Sequence, residues 1–244
     1  CSGLVGSEMC IRDRDYFKSG IKVCKDFGFK FSRGFECEIR SEIPIKAGTS
    51  SSSSIMVGWI NFLSQNADNP KILDTKSIAE LAYKAEVIEF ESPGGMMDQY
   101  STSVGNLIYL ESKPQIKVKQ INNVLGAFVL GDSLEQKDTI GILSRCRNSR
   151  LSIMSEMKKF DPDVNFHTIS SDQLDQFELD DEKRHLMIGT IKNRDLLRQA
   201  KVELKKQNLD QNVFGRLLHD HHKVLSECLK AVSYTHLTLP TTRL

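Results

Sequence analysis

Apolar residues recur at helical spacing in three places in the first hundred positions, and they fix most of the expected layout. Tyr16, Phe17, Ile21, Val23, Cys24 and Phe27 share one side of a helix over 15–27 that Gly28 ends. The run Ile55-Met-Val-Gly-Trp-Ile-Asn-Phe-Leu63 predicts a second helix, beginning within the serines before it and reaching about Gln65. Ile78, Leu81, Ala82, Ala85 and Ile88 line a third over 74–90, broken by Ser92-Pro-Gly-Gly95. Between the first two, Gly34 to Ile43 alternates apolar and polar residues, the pattern of a half-buried strand that Pro44 closes.

The later chain is patterned less evenly. Asn106 to Leu110 and Val124 to Leu130 are short apolar runs suited to buried strands. Segments 138–159 and 194–231 read as helical, with a polar, acidic stretch around 170–182 between them. No internal repeat is visible. Strands and helices mix without a regular βαβ alternation, so the expected class is α+β rather than a doubly wound sheet.

Composition narrows the function. With 33 Lys+Arg against 32 Asp+Glu among 244 residues, the charge balance directs the chain neither to nucleic acid nor to an anionic membrane. No apolar run approaches the roughly 20 residues that span a bilayer. The six cysteines are scattered without a C-x-x-C pair, as expected of thiols in a reducing cytoplasm. Residues 1–14 and 232–244 resemble translated sequencing-adapter DNA and are expected to be artefactual extensions, although Tyr234 to Leu239 also alternates as a terminal strand would. The working chain is then 15–231, expected to be truncated at both ends.

Five consecutive serines, Ser50 to Ser54, stand immediately before the second helix. Such a run is ordinarily a flexible linker. Here a strand, a turn containing Gly48 and a Ser-rich helix start together form an anion site, because the first N–H groups of a helix lack partners and carry partial positive charge. A capped helix behind a loose serine loop fits the same spacing. A second constellation is Glu86, near the end of the third helix, and Asp98, after the Gly-Gly turn. Two carboxylates so placed suit a metal ligand and a general base in phosphoryl transfer; a solvated surface acid and a helix cap are the alternative.

Pro44-Ile-Lys-Ala-Gly-Thr-Ser-Ser-Ser-Ser-Ser54 resembles the P-x-G-x-G-L-S-S-S-A-S phosphate loop of the GHMP small-molecule kinases in its galactokinase form. Glu86 to Gln99 is similar, without a gap, to the galactokinase segment ending C-G-I-M-D-Q. Asp15-Tyr-Phe-Lys-Ser-Gly-Ile21, Gly131-Asp-Ser133 and Gly215-Arg-Leu-Leu-His-Asp-His-His222 resemble further family segments in the family's order. The resemblance implies a GHMP kinase-type α+β fold, truncated, with a phosphate-loop subdomain over 15–120 and an incomplete C-terminal subdomain over 121–231. It implies that Ala47, Gly48, Ser50, Ser51, Ser52, Ser53 and Ser54 hold ATP phosphates, that Ser52 and Glu86 ligate Mg²⁺, and that Asp98 is the base acting on the sugar hydroxyl.

The implied function is ATP-dependent phosphorylation of a monosaccharide, galactose first, by a cytoplasmic enzyme without nucleic-acid or membrane partners. A GHMP kinase for another sugar or sugar phosphate, a non-catalytic sugar-sensing regulator on the same fold, and a plain α+β binding domain whose serines form a linker remain the alternatives. Lys46, Thr49 and Ser53 replace the family's first loop glycine, leucine and alanine. The family's G-R-V-N-L-I-G-E-H segment and its Gly-rich C-terminal motif have no counterpart, so the 244-residue chain by itself is expected to be inactive. His219, His221 and His222 lack the Cys or carboxylate partners of a zinc set, His222 aligning instead with the family's S-H histidine, and Arg145, Arg147 and Arg150 read as a solvated helix face.

Overall fold

In the computed structural model, residues 15–45, 48–123, 125–127 and 139–230 are described, and they fall into two compact units that divide between Gln120 and Ile121. The first unit opens with α1 (Tyr16–Asp26), whose N-terminus is capped by Asp15 accepting from the Lys18 N–H at 3.1 Å. Its inner face carries Ser19, Gly20, Val23 and Cys24. Burial pushes the Cys24 thiol up to about 12, so it packs as a small hydrophobe rather than a nucleophile. Helix α2 (Ser51–Asn66) lies against α1 and buries Met56, Trp59, Ile60 and Leu63 at i, i+3, i+4 and i+7. Gly20 makes this approach possible, since a Cβ there would sit 2.6 Å from Trp59 Cδ1. The indole is itself fixed, donating from Nε1 to the Phe17 carbonyl at 2.9 Å.

Helix α3 (Thr75–Tyr83) adds Ile78, Leu81 and Ala82 to the same core and continues as a π-helical turn, Lys84–Ile88. Asp74 caps α3: Oδ1 accepts from the Lys76 and Ser77 N–H groups, both at 2.9 Å, and Oδ2 from the Ser77 hydroxyl at 2.8 Å. These bonds, Ser77's first, lower the Asp74 carboxyl below its usual range. Asp74→Ala is expected to cost about 1 kcal/mol, as cap deletions do. Because the folded value is the lower one, that contribution is present above the unfolded value near 3.9 and lost as pH falls through the folded value. Urea midpoints of the two proteins should differ at pH 7 and draw together as pH falls below the unfolded value.

After the Gly-Gly turn, α4 (Met97–Val104) packs on α2 and α3 and leads into an antiparallel hairpin of β1 (Ile108–Glu111) and β2 (Lys117–Gln120), with Ile108 opposite Gln120 and Glu111 opposite Lys117. β1 is half-buried along its length rather than buried. β2 alternates charge with a single partly covered apolar residue, Val118, which hides it from periodicity.

The strand expected over 34–43 does not form. Those residues are non-helical and almost all exposed, and no ladder partner stands beside them among the described residues. Alternation reports one-sided burial, but a strand also needs backbone pairing. Phe35 still packs, with ring centroids 5.5 Å from Trp59 and 5.3 Å from Phe62.

The second unit has α5 (Thr139–Met157), a 3₁₀ turn (Asp172–Gln176), α6 (Asp181–Glu203) and α7 (Gln211–Glu227), around a core including Ile153, Met157, Leu174, Met187 and Ile191. The pattern predicts one helix over 194–231. The structure instead starts α6 at Asp181 and breaks the segment before α7, which Asp210 caps by accepting from the Asn212 N–H at 2.9 Å. The acidic Asp180, Asp181 and Glu182 are therefore the start of a helix, where the dipole favours negative charge. Helices α6 and α7 meet closely at Gly189, where a Cβ would lie 2.5 Å from that of Cys228. Arg145 donates to the carbonyls of Leu229 and Lys230 at 3.0 and 2.7 Å, while Arg147 is exposed.

The segments 1–14 and 232–244, the Gly131-Asp-Ser133 motif and most of the expected strand at Val124 to Leu130 lie outside the described residues. The fold is α+β with a small sheet, the class that the sequence predicts. No helix among the described residues is long and apolar enough to cross a membrane.

Candidate functional site

The serine run is ordered helix from Ser51 onward, which removes the linker alternative. The chain reaches it through two left-handed residues, Gly48 at φ 77° and Ser50 at φ 57°. Thr49 closes the loop by donating from Oγ1 to the Pro44 carbonyl at 3.1 Å. The first helical bond runs from the Ser54 N–H to the Ser50 carbonyl at 2.9 Å. The N–H groups of Ser51, Ser52 and Ser53 therefore precede the intrahelical ladder, and Ser50 supplies no side-chain cap to them. Ala47, the remaining loop residue expected to hold phosphate, and Lys46 lie outside the described residues.

Glu86 comes from the π-helical turn, in which the Glu89 N–H bonds to the Lys84 carbonyl at 3.0 Å and the Ser92 N–H to the Val87 carbonyl at 2.9 Å. Such insertions in a helix recur at functional sites. Two contacts from α1 hold the turn: the buried Ser19 hydroxyl donates to the Ala85 carbonyl at 2.7 Å, and Lys22 Nζ reaches Glu89 Oε2 at 2.5 Å. The Glu89 bond raises the Lys22 ammonium above its usual value. Glu86 itself is 9% exposed, which excludes the solvated-acid alternative.

A residue absent from the expected set joins these parts. Gln99, 2% exposed, donates from Nε2 to Glu86 Oε2 at 2.6 Å and to Ser53 Oγ at 3.2 Å. The serine helix, the π-helical turn and the start of α4 thus meet at one amide. Asp98 precedes Gln99 in the first turn of α4. It is exposed, is not the N-cap (Met96 is), and makes no side-chain hydrogen bond or ion pair among the described residues. Tyr100, 2% exposed, anchors the same turn, its phenol raised by burial and then by the charges of Glu80 and Asp74.

The donor set has the chemistry of a magnesium–phosphate site. A carboxylate and serine hydroxyls are hard oxygen ligands, and Mg²⁺ is commonly bound by one or two carboxylates together with substrate phosphates. No cluster of three or more His, Cys, Asp or Glu suited to a metal occurs among the described residues, the three histidines of α7 included.

Residues 15–106, which span α1 to α4 with the serine loop, Glu86, Asp98 and Gln99, match the GHMP kinases N-terminal domain. This stretch is similar to the GHMP kinase family. Galactokinases of two Limosilactobacillus reuteri strains, DSM 20016 and JCM 1112, are each 33% identical to the chain over 102 residues, or 40% of this chain and 25% of the relative. The crystal structure of Lactococcus lactis galactokinase complexed with galactose superposes with a TM-score of 0.70 at 16% identity, covering 96% of this chain and 60% of that one. The chain therefore corresponds to part of the length of the galactokinases it resembles.

Within the matched stretch, Gly48 is a position where side chains are strained. Nothing lies within 4 Å of a Cβ built there, so the penalty is conformational rather than steric. A left-handed L-residue costs about 1–2 kcal/mol. If the loop must hold this conformation to receive phosphate, Gly48→Val should weaken ATP binding roughly 5- to 30-fold. Calorimetric titration gives the affinity, and a thermal melt within a few degrees of wild type would show that folding is not the cause.

Proposed function

We propose that the protein is a sugar kinase, transferring the γ-phosphoryl group of ATP to the anomeric hydroxyl of a monosaccharide, with galactose the first candidate and the cytoplasm its setting. The observation that carries this reading is the Gln99 bridge, which holds the serine helix and Glu86 together one residue from Asp98. N–H groups that precede the helical ladder, and hydroxyls, at the start of α2 suit the nucleotide phosphates, with Ser50, Ser51, Ser53 and Ser54 around Ser52. Ser52 and Glu86 would hold the magnesium ion, which when bound neutralises charge on the phosphates. Donors fixed in advance to receive that charge lower the barrier without reorganising during reaction. Asp98, exposed and with no partner to its carboxylate among the described residues, is the group left to accept the hydroxyl proton as the oxygen attacks phosphorus.

Support for galactose comes from the named relatives and from the galactose-bound neighbour. The test is incubation of the full-length gene product with ATP, Mg²⁺ and a panel of hexoses and hexose phosphates, with formation of sugar phosphate as readout. Galactose 1-phosphate as the preferred product supports the reading. Preference for another sugar changes the substrate only, and absence of turnover with every sugar despite ATP binding favours the sensor.

A further inference from the structure

We infer that Gln99 is a positioning residue for Glu86, holding one carboxylate oxygen so that the other is presented for a cation. The inference rests on the kinase reading above. A carboxylate only accepts hydrogen bonds, so the amide must turn its NH₂ group toward Glu86. It does, reaching Glu86 Oε2 at 2.6 Å and Ser53 Oγ at 3.2 Å. That orientation leaves Gln99 Oε1 buried with no hydrogen-bond partner among the described residues. An unpaired buried carbonyl destabilises a fold, and an unbranched apolar side chain of similar length would fill this place without one. What the amide contributes is therefore its donor, which serves the buried Glu86 carboxylate and Ser53.

Its effect on Glu86 follows from the two carboxylate oxygens. Oε2 is occupied by Gln99, while Oε1 has no hydrogen bond among the described residues. The side chain is thereby fixed about its last torsion and offers one oxygen rather than two. The second arm of the same amide ends on Ser53, in the first turn of α2, so the orientation of Glu86 is referred directly to the serine helix. Groups that orient a metal ligand in this way typically contribute roughly 10- to 100-fold to metal affinity.

The experiment compares ATP affinity by calorimetry, in EDTA and across a Mg²⁺ titration, for the full-length gene product, Gln99→Met and Glu86→Gln. The expected result is that Gln99→Met binds ATP in EDTA as wild type does, stays folded with a lower melting temperature because the buried Glu86 carboxylate loses its donor, and needs roughly 10- to 100-fold more Mg²⁺ for half of the metal-dependent gain. A folded Gln99→Met protein with the wild-type Mg²⁺ requirement overturns the proposal. Glu86→Gln with an undiminished Mg²⁺ gain, or wild-type protein that binds no ATP, overturns the kinase reading and the proposal with it. If Gln99→Met does not fold, the side-chain NH₂ resonances of Gln99 in ¹⁵N-labelled wild-type protein decide the matter. Movement when Mg²⁺ is added to the ATP-bound protein supports the proposal, and resonances that stay in place overturn it.

Discussion

Replacing Asp98 with asparagine is expected to lower turnover of the full-length gene product by about 100-fold or more while leaving ATP affinity and folding unchanged. The expectation comes from where the carboxylate stands. Asp98 is exposed at the first turn of α4, its carboxylate makes no hydrogen bond or ion pair among the described residues, and it is not the helix cap. Deleting its charge should therefore cost the fold little. Met97 before it is 48% exposed and Gln99 after it is 2% exposed, so Asp98 stands where the chain passes from solvent into the cluster. A general base at this point contributes about 10²–10⁴ to the rate. Steady-state kinetics with matched calorimetry check it, and near-normal turnover of the variant would remove Asp98 from the mechanism.

Glu86→Gln is expected to abolish most of the magnesium-dependent gain in ATP affinity and to lower kcat/KM by at least about 100-fold. A metal that neutralises phosphoryl charge supplies several kcal/mol, and each 1.36 kcal/mol is a factor of ten. The substitution keeps the side chain's size, and its amide oxygen still accepts from Gln99, so the packing around the π-helical turn should survive. Removing a buried charge also removes its desolvation cost, so a melting temperature equal to or above that of wild type is expected. Turnover and thermal melts, each run over a Mg²⁺ series, separate the two effects. Loss of turnover accompanied by unfolding would make Glu86 a structural residue.

Much of the first unit is legible in the amino-acid order alone. The start of α2 lies in the change from serines to Met56, Ile60 and Leu63 at helical spacing, and Asp74 stands at the capping position of α3. Other features are not local in origin. The π-helical turn adds one residue to a helical period and leaves no clear trace in the pattern at Lys84–Ile88. Burial of Glu86 depends on an amide 13 positions later and a serine helix further back, and a polar residue next to Asp98 reads from sequence as surface. The segment 34–43 fails as a strand because alternation says nothing about a ladder partner. Helix α6 begins earlier than the apolar pattern indicates because Asp180 to Glu182, which read as loop acidity, sit at the helix end that attracts negative charge.

The central claim is that ATP phosphates bind where the serine run opens α2, beside Glu86. Backbone amide resonances of the ¹⁵N-labelled full-length gene product, followed during titration with ATP and Mg²⁺, test it most directly. The largest shifts are expected at Gly48 and at Ser50 to Ser54, where the N–H groups precede the helical ladder. Binding with those amides unmoved, or shifts confined to the second unit, would contradict the account.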